Sequence, residues 1–240
     1  MDESEVNRNM NILITGASKG IGENISTNLE GNIFAVGRNE DNLKKYSNYL
    51  VCDLAKKADL DNLGQYIQDN KIDVVVNNAG EYIYNPVDKM DYESMEHLLR
   101  VNLMAPMFII SQAVPYMKSQ AWGRIVNIGS ISGVMGEANA SLYSGSKSGL
   151  IGMSKAMALE LAQDNITVNV INPGWVETEL GLKSIEDGEF SKEEVLDCIP
   201  QKRFVQPIEV TNMVKYLISK EAKGVTGQSI NLCAGLSVGF

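Results

Sequence analysis

The chain has 240 residues, of which 44% are hydrophobic and 21% charged, and its formal net charge is −9 at pH 7. This length fits one large α/β domain with a full core. The acidic balance excludes a nucleic-acid surface and an anionic membrane partner, because both need clustered Lys and Arg. Three scattered cysteines (Cys52, Cys198 and Cys233) and a polar start without a signal-peptide pattern predict a cytoplasmic protein without a disulfide framework. A single histidine, His97, with no paired cysteines, predicts neither a metal site nor a Ser-His-Asp triad.

Strand-like apolar runs alternate with helical patterns along residues 11–240, after a polar leader at 1–10. Such alternation, with strands nearly unbroken in apolar residues, is typical of a parallel sheet covered on both faces. We therefore predict a single Rossmann-like, doubly wound α/β domain over 11–240, with a seven-stranded parallel sheet. The predicted strands are 11–15, 32–36, 48–52, 71–77, 124–128, 167–171 and 229–233, and the longest predicted helices cover about 91–117 and 142–162.

Two segments need a separate interpretation. The most apolar stretch, 101–117, is broken by Asn102 and two prolines, and it predicts a buried helix and not a membrane span. Residues 178–200 contain no strand pattern and are rich in charge. Because they stand where an α/β enzyme carries a cover for its pocket, we predict a substrate lid there.

The first predicted strand runs directly into the glycine-rich turn TGASKGIG at 15–22, and a helical pattern follows. Glycines let the chain turn tightly and let a dinucleotide pyrophosphate approach the backbone, while the helix N-terminus supplies N–H groups and a favourable dipole. The strand before the turn and the helix after it favour a dinucleotide site over a purely structural turn. The predicted contacts in this turn are Gly16, Ser18, Lys19, Gly20, Ile21 and Gly22.

The end of the second strand predicts which dinucleotide is bound. An acidic residue there favours the free ribose hydroxyls, whereas a basic residue favours a 2′-phosphate. Gly37 stands where an acidic residue would be, Arg38 follows, and Lys19 lies in the glycine turn. Two cations directed at one phosphate predict NADP(H), and they favour this interpretation over two solvated surface charges.

A second group of residues predicts proton chemistry. Tyr143 and Lys147 are four positions apart at the start of a predicted helix, so both side chains lie on one face. Hydride transfer to a ketone leaves an alkoxide, and a tyrosine can supply its proton if a neighbouring cation lowers the tyrosine pKa. Ser130 adds a hydroxyl at the carboxyl end of the strand 124–128, where ligands bind in parallel sheets.

Together these motifs resemble the short-chain dehydrogenase/reductase family, in its non-extended type. The chain has the T-G-x-x-x-G-x-G spacing, an NNAG segment at 77–80, and Ser130 thirteen positions before Tyr143. The resemblance runs from about residue 11 to the C-terminus. It implies that Tyr143 is the general acid/base and that Lys147 lowers the Tyr143 pKa and holds the nicotinamide ribose. Ser130 would orient the carbonyl, and Asn102 would keep a water in the proton relay, although a helix kink before Pro106 is the alternative reason for an asparagine at that position.

The same resemblance implies further cofactor contacts outside the glycine turn. They are Arg38, Asp53, Leu54, Asn78, Ala79, Gly80, Tyr143, Lys147, Pro173, Gly174, Val176 and Thr178. The family usually forms dimers and tetramers through its two long helices, so we expect a homotetramer or at least a homodimer. The connection from Arg38 to Asp53 is shorter than usual in the family, which predicts a trimmed helix there.

The motifs are closest to those of 3-oxoacyl-[acyl-carrier-protein] reductases, but the predicted surface differs from theirs. Ala121 and Asp164 stand where those enzymes often place arginines for an acidic carrier. The predicted lid is itself acidic, with Glu186, Asp187, Glu189, Glu193 and Glu194. We therefore expect a free small-molecule ketone or alcohol as substrate, with carrier-bound reduction as the alternative. A catalytically silent NADP(H)-binding regulator is a second alternative, and the glycine spacing and chain length disfavour a sugar-nucleotide epimerase.

Overall fold

A seven-stranded parallel sheet forms the centre of the computed structural model, which describes residues 9–187 and 190–238. The strands are β1 (Asn11–Thr15), β2 (Asn32–Gly37), β3 (Asn48–Val51), β4 (Val74–Asn77), β5 (Gly123–Ile128), β6 (Ile166–Pro173) and β7 (Ser229–Leu232). Their order across the sheet is β3-β2-β1-β4-β5-β6-β7, and every pair is parallel. The predicted fold class is confirmed.

Helices connect the strands and cover both faces of the sheet. They are α1 (Gly20–Asn28), α2 (Glu40–Leu43), α3 (Lys57–Asp69), α4 (Tyr92–Leu99), α5 (Ala105–Ser119), α6 (Ser132–Met135), α7 (Ser141–Leu161), α8 (Glu179–Asp187), α9 (Lys192–Cys198) and α10 (Pro207–Ile218). The one-turn α2 is the trimmed helix that the short connection between β2 and β3 predicts.

Successive side chains of each strand point to opposite faces of the sheet, and this alternation divides the core into two layers. In β1, Leu13 packs with residues of α3, α5 and α7, whereas Ile12 and Ile14 point to the opposite face and pack with α1 and α10. Because successive side chains of a strand point to opposite faces, a strand that is apolar at every position must be covered on both sides. All four residues of β4 and all six of β5 are buried accordingly.

One boundary differs clearly from its prediction. The predicted strand 71–77 begins only at Val74, because Lys71 has a left-handed φ of 48° and closes the turn after α3. Residue 72 is buried but does not pair, and the ladder with β1 starts at the Ile12–Val74 pair.

The helix from Tyr92 to Ser119 is long and apolar enough, by length and composition, to cross a membrane. In the structure its α5 part packs on the sheet, with Ile109, Ile110 and Met117 fully buried in the core. It is therefore a core helix, as the sequence predicts. Five residues, Arg100–Met104, form a π-helical turn that joins α4 to α5.

The predicted lid, 178–200, folds as α8 and α9, which pack over the C-terminal turn. Ile185, Val195 and Ile199 form a small apolar cluster with Phe204 and Leu236. Residues 188 and 189, including the predicted acidic Glu189, and residues 1–8 of the predicted leader lie outside the described part of the chain.

Candidate active site

A cleft of about 530 Å³ opens at the carboxyl ends of the central strands. The segments that follow β1, β2, β3, β4, β5 and β6 form its walls, because parallel strands all end at the same edge of the sheet. Nearly all of the predicted site residues line this cleft: Gly16, Ser18, Lys19, Gly20, Ile21, Arg38, Asp53, Leu54, Asn78, Ala79, Gly80, Ser130, Tyr143, Lys147, Pro173, Gly174, Val176 and Thr178. Gly22 and Asn102 do not line it.

The loop after β1 is held against the loop after β4. Asn78 donates from Nδ2 to the Thr15 carbonyl at 2.9 Å, and the Ala79 amide donates to the Thr15 hydroxyl at 3.0 Å. Gly16 has a φ of 68°, and a Cβ on it would lie 2.9 Å from the Ala79 Cα. Only glycine fits this combination of left-handed backbone and close approach. The two loops thus form one rigid wall of the cleft.

Gly22, the last glycine of the turn, lies beside the cleft without lining it. It lies in the first turn of α1 beneath the loop, and a Cβ there would overlap the Gly16 carbonyl oxygen and the Asn78 amide. Its contact in this structure is therefore with the loop itself, and it supports the cleft wall from behind. That Gly22 also contacts the cofactor stays a prediction.

We expect Gly22→Ala to destabilise the fold by about 1–3 kcal/mol, because the added methyl must push the glycine loop away from Asn78. Dinucleotide affinity should fall with it, since the same loop forms the cleft wall. Thermal unfolding and a dinucleotide titration measure both effects. Gly224→Ala is the matched control, because a Cβ there meets no atom within 4 Å. Equal melting temperatures for the two variants would contradict this account.

The cleft has the features that a dinucleotide needs. The N-cap residue of α1 is Lys19, and its side chain makes no capping hydrogen bond. The N–H groups of the first turn therefore remain available to a bound anion. A Cβ on Gly20, which also has a positive φ of 60°, would meet only Thr178 at 3.6 Å or more. The residues present therefore fit a pyrophosphate at the start of α1.

The two predicted phosphate-binding cations do not stand alone in the structure. Arg38 pairs through Nη1 with the Glu81 carboxylate at 2.7 Å, and Lys19 pairs with Glu179 at 3.0 Å. Both cations are well exposed, and both line the cleft. A phosphate that binds between these two cations would have to displace their carboxylate partners as well as water. The sequence does not indicate this competition between phosphate and carboxylate.

Ser130, Tyr143 and Lys147 meet on one side of the cleft. The Lys147 ammonium is buried, donates to the Ile128 carbonyl at 2.9 Å and lies 5.7 Å from the centroid of the Tyr143 ring. Ser130 follows β5 and donates to the Ser132 hydroxyl at 3.1 Å. The helical spacing of Tyr143 and Lys147 thus places them side by side, as predicted.

The electrostatics of this group differ from expectation. The pKa of Tyr143 is raised to about 12, and burial of the phenol is the main cause. A hydrogen bond with the Ser130 hydroxyl lowers this pKa, and the nearby Glu137 carboxylate raises it. Burial also lowers the pKa of Lys147 to about 8. The lowering of the Tyr143 pKa that we expect from Lys147 is absent from this arrangement, because the ammonium is directed at the Ile128 carbonyl.

Asn102 lies behind the cleft, in the π-helical turn between α4 and α5. Its amide donates to the Glu81 carbonyl at 2.9 Å and to the Ser146 hydroxyl at 3.2 Å, and its Oδ1 accepts from the Glu81 amide at 2.9 Å. A π-helical turn often marks a functional site, since it costs regular helical hydrogen bonds. Here it fixes the backbone next to Gly80, whose added Cβ would lie 3.3 Å from the Lys147 ammonium.

The cleft residues that were not predicted from the sequence include three polar side chains close to Tyr143 or Arg38: Glu81, Tyr82 and Glu137. The Tyr82 hydroxyl donates to Glu137 Oε1 at 2.7 Å, and its ring meets the Tyr143 ring edge-on, with centroids 5.0 Å apart. Burial, followed by the hydrogen bond to Glu137, raises the pKa of Tyr82. Two of the three directly follow the NNAG segment, and this position was the signal that could have identified them. Over the described ranges 9–187 and 190–238, no group of three or more His, Cys, Asp or Glu side chains could hold a metal ion.

Comparisons with known proteins agree on one family. A family model described as enoyl-(acyl carrier protein) reductase matches residues 16–237. The 3-oxoacyl-[acyl-carrier-protein] reductase FabG of Rickettsia bellii is 34% identical over 234 residues, which cover 93% of this chain and 95% of the relative.

Two solved structures share the fold over nearly the whole chain. The actinorhodin polyketide ketoreductase with NADPH is 33% identical, with a TM-score of 0.91 and coverage of 95% of this chain and 97% of that one. YwfH, an NADPH-dependent reductase involved in bacilysin biosynthesis, is 26% identical, also with a TM-score of 0.91, and the match covers 97% of this chain and 100% of that one.

Proposed function

The chain belongs to the short-chain dehydrogenase/reductase family of oxidoreductases, and on that premise we propose that it interconverts a ketone and a secondary alcohol with NADP(H). The observation that carries the proposal is the meeting of Ser130, Tyr143 and Lys147 in the same cleft as the glycine loop and Arg38. The matched structures that are described as NADPH-dependent or NADPH-bound reductases support the choice of cofactor.

The residues of the cleft divide between the two ends of the cofactor. Gly16, Ser18, Gly20 and Ile21 would hold the pyrophosphate on the N-terminus of α1, while Arg38 and Lys19 would bind the 2′-phosphate. Further contacts would come from Asp53 and Leu54 beside the adenine, and from Asn78, Ala79, Gly80, Pro173, Gly174, Val176 and Thr178 along the remaining walls. When bound, NADPH would supply the hydride that adds to the carbonyl carbon.

The side chains of the protein would manage the carbonyl oxygen. The Ser130 hydroxyl, which donates to Ser132 in this structure, would turn to donate its hydrogen bond to this oxygen and hold it in place. Tyr143 would donate the proton that the oxygen needs as the alcohol forms. In the reverse direction the tyrosinate would accept the proton from the alcohol. The raised pKa of Tyr143 means that the neutral phenol prevails near pH 7, which suits the reduction.

Lys147 and Asn102 would act through their neighbours. A Lys147 ammonium turned from the Ile128 carbonyl toward the phenol would lower the Tyr143 pKa and could donate to the nicotinamide ribose. Asn102 would hold the backbone at Glu81 and Gly80, and so keep the position of a relay water next to Lys147. The place of Asn102 in the π-helical turn supports both reasons for an asparagine at this position, the helix kink before Pro106 and the role in the proton relay.

The surface supports a free small-molecule substrate over an acidic carrier protein. Lys118, which could attract a carrier, pairs with Asp164 at 3.3 Å, and Lys192 lies 3.8 Å from Glu177. Arg124, a third cation that could contribute, is only 1% exposed and stacks on Trp122, so it cannot meet a partner. Lys183, the fourth, is exposed and makes no ion pair among the described residues, so it is the cation left to attract a carrier. The second candidate, 3-oxoacyl-[acyl-carrier-protein] reduction, is favoured by the names of relatives at 34% identity.

The experiment that tests the proposal compares substrates with NADPH and with NADH. A panel of ketones establishes turnover, and kcat/KM for a 3-oxoacyl group on its carrier protein is compared with that of the same group on a short thioester. We expect ketone turnover and a ratio near one. A carrier that raises kcat/KM by orders of magnitude, with the gain erased by salt, would instead support carrier-bound reduction. Absence of turnover across the panel would favour the silent regulator.

We expect the protein to be a homotetramer, or at least a homodimer, formed through α5 and α7. Met107 on α5 is 47% exposed, Leu159 on α7 is 83% exposed, and Met104 in the adjoining π-helical turn is 59% exposed. Exposed apolar side chains on neighbouring helices are typical of a buried contact between subunits. Analytical ultracentrifugation should give two or four times the chain mass of 26.3 kDa. A single species of that chain mass would contradict the expectation.

A further inference from the structure

Four acidic side chains line the cleft, and one of them differs from the others in its charge environment. Three pair with cations: Asp53 with Lys56 at 3.4 Å, Glu81 with Arg38 at 2.7 Å, and Glu179 with Lys19 at 3.0 Å. Glu137, in the segment between α6 and α7, has no Lys, Arg or His at ion-pair distance among the described residues. Glu137 is therefore the cleft carboxylate with an uncompensated charge.

Two hydroxyl groups hold this carboxylate in place. Tyr82 donates to Oε1 and Ser132 donates to Oε2, each at 2.7 Å. A carboxylate offers about four acceptor positions, so two remain for a ligand. Because both oxygens are already fixed by hydrogen bonds, the ligand would bind a preorganised group.

The position of Glu137 relates it directly to the reacting group of the proposed substrate. Ser132 accepts a hydrogen bond from Ser130 at 3.1 Å, so Glu137 is two hydrogen bonds away from the hydroxyl that would hold the carbonyl. Tyr82, its other partner, packs edge-on against Tyr143. Glu137 thus lies close to the residues that would hold the reacting carbonyl.

The charge balance indicates what would bind there. A half-buried carboxylate without a counter-ion has lost part of its hydration, and a ligand cation restores the missing interaction. The ring of Tyr82, whose hydroxyl binds Glu137, can also stabilise an organic cation. A ligand carboxylate in the same place would be repelled.

From this geometry we infer that the substrate is a ketone or alcohol carrying an organic ammonium group, which Glu137 binds while Ser130 and Tyr143 hold the carbonyl. This inference rests on the proposed function, because it takes the reacting carbonyl to lie at Ser130. Glu137 is then a specificity-determining residue that sets the charge of the accepted substrate.

The test uses three sets of methyl ketones that end in a trimethylammonium, a tert-butyl or a carboxylate group, with the methylene spacer varied. Trimethylammonium and tert-butyl have the same shape, so they differ in charge alone. We expect kcat/KM with NADPH to be at least about tenfold higher for the best ammonium ketone than for its tert-butyl partner, because the ammonium charge is attracted to the carboxylate without a hydrogen bond. Glu137→Gln should reduce this ratio to near one. Glu179→Gln removes a paired carboxylate of the same cleft and should keep the ratio.

Binding of the same ketones to the protein, measured by calorimetry with NADP⁺ present, tests the inference independently of turnover and of any variant. The ammonium ketone should bind at least about tenfold more tightly than the tert-butyl ketone, through the attraction between the two charges. Equal affinities in the wild-type protein, or an unchanged preference in a folded Glu137→Gln, would overturn the inference. Turnover of neutral ketones alongside such a result would leave the proposed function standing. Failure to reduce any ketone, with ammonium-selective binding intact, would reject the proposed reaction and support the ammonium site.

Discussion

Replacing Tyr143 by Phe should lower kcat for ketone reduction at least about a hundredfold while NADP(H) binding stays nearly unchanged. The phenol is the proton donor in the proposed reaction, and Phe keeps the ring that packs against Tyr82. The loss should therefore appear in kcat and not in the dissociation constant of the cofactor. Steady-state kinetics and a fluorescence titration with NADPH measure the two quantities separately.

Tyr84→Phe is the matched control for this variant. The Tyr84 phenol accepts a hydrogen bond from Asn139 at 2.9 Å, and Tyr84 does not line the cleft. Loss of the Tyr84 hydroxyl should leave kcat within a few-fold of the wild-type value. Wild-type turnover in Tyr143→Phe would reject Tyr143 as the proton donor.

The second large effect concerns the cofactor. NADPH should exceed NADH in kcat/KM, and Arg38→Asp should narrow or reverse this preference, because a charged contact to the 2′-phosphate contributes roughly 1.5–3 kcal/mol, or about ten- to a hundredfold. The ratio of kcat/KM for the two cofactors, measured on both proteins, gives the result directly.

The ion pair between Arg38 and Glu81 supplies an internal control for that measurement. Glu81 competes with the phosphate for the guanidinium, so Glu81→Gln should increase the preference for NADPH while Arg38→Asp decreases it. Equal use of both cofactors by the wild-type protein would show that Arg38 and Lys19 act only as surface charges.

The sequence predicts the fold well because its apolar runs leave few alternatives. A strand such as β4, apolar at three successive positions, can only lie in a sheet covered on both faces. The glycine turn after β1 and the hydroxyl after β5 follow from the same topology, since parallel strands deliver their carboxyl ends to one edge. Tyr143 and Lys147 meet because helical spacing fixes their relative direction.

The parts of the site that the sequence does not predict depend on side-chain partners brought together from distant segments. Arg38 and Glu81 are separated by 43 positions, and Tyr82 and Glu137 by 55. No periodicity relates such residues, so their contacts appear only when the loops after β2, β4 and β5 meet. The direction of the Lys147 ammonium, toward Ile128, likewise depends on the rotamer and not on helical spacing.

The inward position of Gly22 has the same origin. Spacing alone places three glycines in one turn, but whether each faces a ligand or the neighbouring loop depends on where α1 begins. The structure starts α1 at Gly20, which turns Gly22 toward Asn78.

Transfer of a deuterium label from NADPH to the product tests the central claim most directly. NADPH deuterated at the transferring position of C4 is incubated with the protein and the best ketone of the panel, and the alcohol is analysed by mass spectrometry and NMR. We predict one deuterium on the carbinol carbon of each alcohol formed, with one NADP⁺ produced for each. Alcohol that carries no label, or ketones that consume no NADPH, would contradict the assignment of this chain as an NADP(H)-dependent ketone reductase.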